Sequence, residues 1–194
     1  MKVLVLYAHP NPESFGGALH RTVVTTLRAD GHEVDDCDLY EENFDPVMTR
    51  AERLGYHAVP QNRDPVASHV ARLQAAEALV LVYPVWNFGF PAILKGYLDR
   101  VFLPGVSFRL ENGLTAPNLQ KIRHLVAVTT YGAPRYRAML LGDPPRKVVK
   151  RILRVLVAPL AKTKYLALHR MNTVSADDRA HFIAKVQQSL KGLT

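Results

Sequence analysis

Cysteine is almost absent from this sequence of 194 residues. Because Cys37 is the single one, an internal disulfide, a CxxC redox pair and a cysteine-rich zinc site are excluded, and no metal site is predicted. No apolar run approaches the roughly 18 residues of a membrane-spanning helix, and the opening residues lack the pattern of a secretory leader. We therefore expect a cytoplasmic protein that does not insert into a membrane.

Two nucleotide-binding fingerprints are also missing. GxGxxG does not follow the first predicted strand, and GxxxxGK[ST] occurs nowhere. The usual dinucleotide and nucleoside-triphosphate motifs are therefore excluded. Repeats and low-complexity tracts are missing as well, and 48% of the residues are hydrophobic, so a single globular domain over residues 1–194 is predicted.

The charge balance is one-sided. Lysine and arginine number 25 against 17 acidic residues, which gives a formal net charge of +8. The basic residues are spread along the chain except for a denser zone between Arg135 and Arg154, much of it at helical spacing. We interpret this zone as a solvated helix face, with an electrostatic funnel for an anionic dinucleotide as the alternative, and predict no nucleic-acid partner.

Short apolar runs alternate with helical periodicity along the chain. The runs at 3–6, 78–83 and 125–130 are apolar at consecutive positions, which is typical of central parallel strands covered on both faces. A more acidic run at 34–39 suits an edge strand, and a fifth strand is expected at 165–171. The pattern predicts an α/β doubly wound sheet of five parallel strands, and the missing GxGxxG favours the strand order 2-1-3-4-5.

Helical spacing predicts helices from Ala18 to Gly31, at 65–76, from Pro91 toward Pro104, at 145–157 and after Ser175. The stretch 40–62 has little periodicity and is predicted to be a long irregular excursion with a helical turn at 49–54. Asn112 and Gly113 predict the tight turn of a small hairpin.

Three loops should meet at one crevice in this strand order. The first, at 9–17, opens onto a helix N-terminus, where free amides and the hydroxyl of Ser14 favour a phosphate; a plain connecting loop is the alternative. The second, at 84–90, carries the only tryptophan. A flat ligand could stack there, unless Trp86, Phe88 and Phe90 merely seed a core. The third loop follows the strand at 125–130.

The motifs in these loops resemble the flavodoxin-like NAD(P)H:quinone oxidoreductases, the group that includes DT-diaphorase and the flavoprotein partners of potassium-efflux systems. The resemblance implies a flavodoxin-like fold and a bound flavin. The residues implied to hold the flavin phosphate are His9, Ser14, Phe15 and Gly16, the last standing where some relatives have asparagine. Those implied to wrap the isoalloxazine ring are Pro84, Val85, Trp86, Asn87 and Phe88. Those implied to contact its pyrimidine end are Thr129, Thr130, Tyr131 and Gly132.

The same resemblance implies an enzyme that passes two electrons from NADPH or NADH, through the flavin, to a quinone-like acceptor. FMN is favoured over FAD, and a homodimer is expected because the aromatic rim is apolar. Tyr136 falls near a tyrosine that handles charge in the family, if one residue is gapped, and is the catalytic candidate. The alternatives are a regulatory subunit docked on a membrane potassium-efflux transporter, an azo- or nitro-compound reductase, and a one-electron carrier, which the basic charge disfavours.

Overall fold

The computed structural model describes residues 1–193 and contains a five-stranded parallel sheet flanked by helices. The strands in chain order are β1 (Lys2–Tyr7), β2 (Glu33–Asp38), β3 (Ala78–Val85), β4 (Phe108–Glu111), β5 (Leu114–Pro117), β6 (His124–Tyr131) and β7 (Lys162–Leu168). The main sheet has the order β2-β1-β3-β6-β7, while β4 and β5 form a separate antiparallel hairpin. Counted within the main sheet this is 2-1-3-4-5, so the predicted flavodoxin-like fold is confirmed.

Helices cover both faces of this sheet. In chain order they are α1 (Phe15–Ala29), α2 (Arg50–Leu54), α3 (Ala67–Ala75), α4 (Ala92–Val101), α5 (Arg135–Leu140), α6 (Pro144–Lys147), α7 (Arg154–Leu156) and α8 (Ala176–Leu190). A 3₁₀ segment, Gln61–Val66, precedes α3, and a π-helical segment, Val148–Leu153, joins α6 to α7. Among residues 1–193, no helix combines the length and apolar character needed to cross a bilayer.

Two hydrophobic cores explain the continuous apolar runs of the central strands. In β1, Val3 and Val5 pack on one face with α1 and α8, whereas Leu4 and Leu6 pack on the other with α3 and α4. Successive side chains of a strand point to opposite faces, so a strand covered on both sides must be apolar at every position.

The structure departs from the sequence prediction at several helices and one strand. The helix α5 was not predicted, and the predicted helix at 65–76 is divided between the 3₁₀ segment and α3. The helix α1 begins at Phe15, three residues before the predicted start at Ala18, because Ser14 caps it. The predicted helix at 145–157 is a composite of α6, the π-helical segment and α7. The strand β7 begins at Lys162, three residues before the predicted Tyr165, since its first residues are polar and the strand lies at the sheet edge.

The excursion between β2 and α3 is held against α4. Its helical turn, α2, is capped by Thr49 and Glu52 in a capping box. Arg100 of α4 is 9% exposed; its Nη2 donates to Glu52 Oε1 at 2.6 Å, and its Nη1 donates to the Asp45 carbonyl. A Cβ at Gly96 would lie 2.3 Å from Cβ of Pro46, so helix and excursion approach more closely than any side chain would permit.

Candidate functional site

The first loop ends in a serine-capped helix N-terminus. The Ser14 hydroxyl donates to the Asn11 carbonyl at 2.7 Å and accepts from the Gly17 amide at 3.1 Å. The amides of Phe15 and Gly16 donate to no partner among residues 1–193 and lie at the positive end of the α1 dipole. A Cβ at Gly17 would lie 1.9 Å from the Pro12 carbonyl oxygen, so only glycine allows the loop to close this tightly.

His9 is fixed beside this helix end in one tautomer. Its Nδ1 accepts from the Asn11 amide at 3.0 Å, so the ring proton of the neutral imidazole is on Nε2, which can donate. Burial lowers the pKa of His9, which favours that neutral form. The resemblance implied that His9 binds a phosphate. Nδ1 is held by a backbone amide, and Nε2–H is left as the donor.

The second loop is a tight two-residue turn. Trp86 and Gly89 exchange backbone hydrogen bonds of 3.2 and 2.8 Å, while Asn87 and Phe88 have φ values of 48° and 55°. Left-handed backbone is unusual for a bulky residue such as Phe88 and is often found at ligand sites. The Trp86 amide is therefore used within the turn. The amides of Asn87 and Phe88 have no hydrogen-bond partner among residues 1–193.

The first two loops are in contact. The rings of His9 and Trp86 have centroids 5.9 Å apart and planes inclined by 60°. Trp86 is 42% exposed, so much of its indole is available for stacking. By contrast, Phe90 packs edge-on against the buried Tyr83, with ring centroids 4.9 Å apart. Trp86 therefore lies at the surface, whereas Phe90 is partly buried and packs against the core.

The third loop leaves the sheet beside the second. In the β3–β6 register Pro84 pairs with Thr130 and Val85 with Tyr131, so both loops start at the same edge of the sheet. Thr129 is fully buried, and its hydroxyl has no hydrogen-bond partner in the part of the chain that the structure describes. Gly132 is exposed, and within 4 Å a Cβ there would meet only the side-chain Nδ2 of Asn172, at 3.9 Å.

The side chain of Tyr131 turns inward. Its hydroxyl contacts Asp143 and Tyr165, and its ring stacks on His169 with centroids 4.5 Å apart. Only the backbone of Tyr131 is therefore left to contact a ligand at the crevice. Tyr136 is 55% exposed in the first turn of α5, directly after this loop. No local motif in the sequence marks Asp143, Tyr165 or His169, so their contact with Tyr131 was not predicted.

A separate group of metal-type ligands lies at β2 and α3. Ligand atoms of Cys37, Glu42 and His69 lie within 4.8 Å of one another. The Glu42 carboxylate already accepts two hydrogen bonds from Arg72, at 2.7 and 2.9 Å, and burial raises the pKa of the Cys37 thiol. A neutral thiol and a carboxylate paired with a guanidinium are weak metal ligands, so we assign this group to packing.

The donors at the three loops fit a flat cofactor that carries a phosphate. A helix N-terminus and an imidazole N–H suit the phosphate, an exposed indole suits a ring, and free amides of a turn suit ring oxygens and nitrogens. The crevice lies at the carboxyl ends of the strands, between β1 and β3, where doubly wound sheets bind ligands. The fold and the site geometry thus define a doubly wound α/β protein with a crevice suited to a flat ligand that carries a phosphate.

A family model described as having a flavodoxin-like fold matches residues 1–190, and the chain therefore belongs to that family. The chain is 41% identical over 114 residues to an uncharacterized NAD(P)H oxidoreductase of Haemophilus influenzae, covering 58% of this chain and 56% of that protein. It is 33% identical over 150 residues to a mouse ribosyldihydronicotinamide dehydrogenase [quinone], covering 68% and 64%. The matched part thus spans less than two thirds of the length of these curated relatives.

Two solved structures illustrate the shared fold. Smu.1420 from Streptococcus mutans has a TM-score of 0.85 at 29% identity, with both chains covered completely. An FMN-dependent NADH-azoreductase from Bacillus anthracis, solved in complex with FMN, has a TM-score of 0.79 at 14% identity, covering 99% of this chain and 98% of that one. The second likeness concerns the fold alone.

Proposed function

We propose that the protein is a flavin-dependent NAD(P)H:quinone oxidoreductase that passes two electrons from the nicotinamide to a quinone-like acceptor. The observation that carries this proposal is the meeting of the serine-capped α1 N-terminus with the exposed indole, through the ring contact of His9 and Trp86 at 5.9 Å. It joins an anion site and a stacking surface at one crevice. The names of the two relatives, a NAD(P)H oxidoreductase and a quinone-linked dehydrogenase, support the reaction class.

Each loop has a definite task in this proposal. The amides of Phe15 and Gly16, with His9 Nε2–H, bind the flavin phosphate, and Trp86 packs against the ring. The amides of Asn87 and Phe88 and the Gly132 region donate to the ring edge, where preorganised donors stabilise added negative charge. When bound, the flavin supplies the two-electron chemistry, and the protein positions both substrates.

Three further residues complete the proposed site. Thr130 is proposed to donate at the pyrimidine end of the ring, and Thr129, whose side chain is fully buried, to contribute there through its backbone. Tyr136 is proposed to stabilise charge during the reaction. Replacing Tyr136 by Phe should lower kcat while leaving KM and flavin content unchanged. Equal kcat values for the two proteins would remove Tyr136 from the mechanism.

FMN is the proposed cofactor in preference to FAD. FMN and FAD each carry a phosphate that the α1 N-terminus could bind. FMN is the cofactor bound in the Bacillus anthracis azoreductase, which has the same fold. The decisive measurement is mass spectrometry of the cofactor released by denaturing the purified protein. A flavin mass supports the proposal and distinguishes FMN from FAD, whereas full-length protein that binds neither flavin on reconstitution contradicts it.

The preferred electron acceptor distinguishes a quinone reductase from an azo- or nitro-compound reductase. With NADPH or NADH as donor, a quinone reductase should reduce a simple benzoquinone or naphthoquinone much faster than an azo dye or a nitroaromatic compound. The reverse order would assign the protein to the azo- or nitro-compound reductases instead.

A homodimer is part of the proposal. Phe88 and Phe90 are partly buried, so the aromatic rim exposes mainly Trp86; large apolar side chains are more exposed at Leu140 (81%) and Leu160 (93%). We propose that a second copy of the chain covers these exposed apolar side chains. Light scattering at micromolar concentration should give twice the chain mass of 21.7 kDa, and a monomer mass would contradict the assignment.

We place the free enzyme in the cytoplasm as part of the same proposal. Cell fractionation should recover the protein in the supernatant after high-speed centrifugation. Recovery with the membrane fraction, together with a transporter in pull-downs, would favour the regulatory-subunit alternative.

A further inference from the structure

A basic cavity lies beside the third loop, and the proposed reaction assigns no ligand to it. Its volume is about 530 Å³, within the range of small-molecule sites. Its charged lining consists of Arg135, Arg146, Lys147, Lys150, Arg151 and Asp143. Five cations thus surround one space that holds a single carboxylate.

These cations are not neutralised by the protein. None of the five forms an ion pair with a carboxylate within residues 1–193. The guanidinium of Arg146 lies 5.5 Å from the ring centre of Tyr165, a contact that leaves its charge intact. Asp143 accepts a hydrogen bond from Tyr131 and is the only acidic group of the lining. Like charges around one cavity repel one another, and a bound polyanion would relieve that repulsion.

The cavity adjoins the candidate flavin site. His169 lines it and stacks on Tyr131, the third residue of the Thr129–Gly132 loop. Arg135 is the first residue of α5, three positions after Gly132. Lys150 and Arg151 belong to the π-helical segment Val148–Leu153, and π-helical turns are frequent at functional sites. A ligand that reaches the crevice can therefore extend into the cavity along the third loop.

We propose that this cavity binds the phosphates of the reduced nicotinamide co-substrate and that it selects NADPH over NADH. The proposal rests on the proposed function, which brings a nicotinamide to the crevice. A phosphate monoester carries a charge of about −1.5 to −2 at neutral pH, and this group at the adenosine 2′ position is what distinguishes NADPH from NADH. Guanidinium groups bind phosphate through paired, charge-assisted hydrogen bonds. The clustered cations therefore fit the more highly charged nucleotide.

The first test is direct binding, which needs no turnover. The probes are adenosine 2′,5′-bisphosphate and adenosine 5′-monophosphate, titrated calorimetrically into the purified flavin-loaded protein. We expect the bisphosphate to bind at least about tenfold more tightly, the effect of about 1.4 kcal/mol. The double variant Lys150→Gln with Arg151→Gln should abolish this preference. Arg137→Gln removes one charge from exposed α5 outside the cavity lining and should keep it.

The second test is steady-state kinetics with a benzoquinone. In the double variant, KM for NADPH should rise about tenfold or more, KM for NADH should rise much less, and the flavin content should change little. Equal losses for NADPH and NADH, or equal binding of the two adenosine phosphates by the wild type, would overturn the proposal. Loss of flavin from the double variant would also overturn it, because the cavity would then belong to the cofactor. If the wild type oxidises neither NADPH nor NADH, the proposed function is wrong. The relative affinities for the two adenosine phosphates would still test the cavity assignment.

Discussion

The hydroxyl of Tyr131 donates a hydrogen bond of 2.7 Å to the carboxylate of Asp143. Because the single hydroxyl proton of Tyr131 is used in that bond, the Tyr165 hydroxyl, 2.5 Å away, must donate to Tyr131. The Tyr83 hydroxyl in turn donates to that of Tyr165 at 3.5 Å. Burial raises the pKa of all three phenols, that of Tyr165 to about 12. The three tyrosines thus stay protonated and form one directed chain that ends at the basic cavity.

Replacing Tyr131 by Phe should destabilise the protein by about 1 to 3 kcal/mol, because the hydroxyl of the partly buried Tyr165 loses its acceptor and Asp143 loses its donor. Urea unfolding of the two proteins measures the difference. Tyr136→Phe, which removes an exposed hydroxyl, is the control and should stay within about 0.5 kcal/mol of wild type. Equal stabilities of the wild type and Tyr131→Phe would show that the hydrogen-bond chain contributes nothing.

Replacing Ser14 by Asp should abolish flavin retention and leave the fold intact. Aspartate is also a good helix N-cap, so α1 is preserved, but its carboxylate repels the phosphate and competes for the amides of the first turn. The measurement is the ratio of flavin to protein after purification. Ser175→Asp makes the same change at the N-cap of α8 and should retain the flavin. Unchanged flavin content in Ser14→Asp would disprove the phosphate assignment.

Stability should fall as the pH drops below about 6.5, the ordinary histidine pKa. Burial lowers the pKa of His9, His69 and His169 in the folded state. Between the ordinary and the lowered values the unfolded chain binds protons that the folded chain does not, so the free energy of unfolding decreases as the pH falls through this window. Urea unfolding at several pH values measures the loss, and NMR titration assigns it to residues. Folded-state midpoints at or above 6.5 would contradict the expectation.

Replacing Gly17 by Ala should disrupt the first loop. The new Cβ would lie 1.9 Å from the Pro12 carbonyl oxygen, so the loop must move, at an expected cost of about 1 to 3 kcal/mol and a loss of flavin affinity. Gly55→Ala is a suitable control, since its Cβ would lie 3.5 Å from the Ala51 carbonyl oxygen, an ordinary contact. Thermal unfolding and flavin titration compare the variants. Identical behaviour of the two would contradict the steric argument.

Local signals in the sequence were enough to predict the sheet. The apolar runs identified the central strands, and the acidic run at 34–39 correctly predicted an edge strand, because burial on one or both faces directly dictates which residues a strand can carry. The cap at Ser14 also follows from a local rule, although the prediction started α1 at Ala18.

The contacts of the Tyr131 side chain, in the third loop, could not be predicted from local signals. Tyr131 meets Asp143 and Tyr165, which are 12 and 34 residues further along the chain, and only the packed fold brings these groups together. The basic zone is a similar case. Its spacing predicted a solvated helix face, but the zone is divided among several helical segments, and the π-helical one changes the angular spacing of its side chains. The cavity that these side chains share was therefore not visible in the sequence.

The close approach of Gly96 and Pro46 has an evolutionary consequence. Because residue 96 has no side chain, α4 can pack directly against the excursion. The helix begins just after the Trp86 turn, so this contact also positions one end of the turn. A larger residue at 96 is tolerable only if the backbone at 46 retreats. Positions 46 and 96 should therefore covary among relatives, and an alignment that samples both would reveal the pairing of two residues that lie 50 positions apart in the sequence.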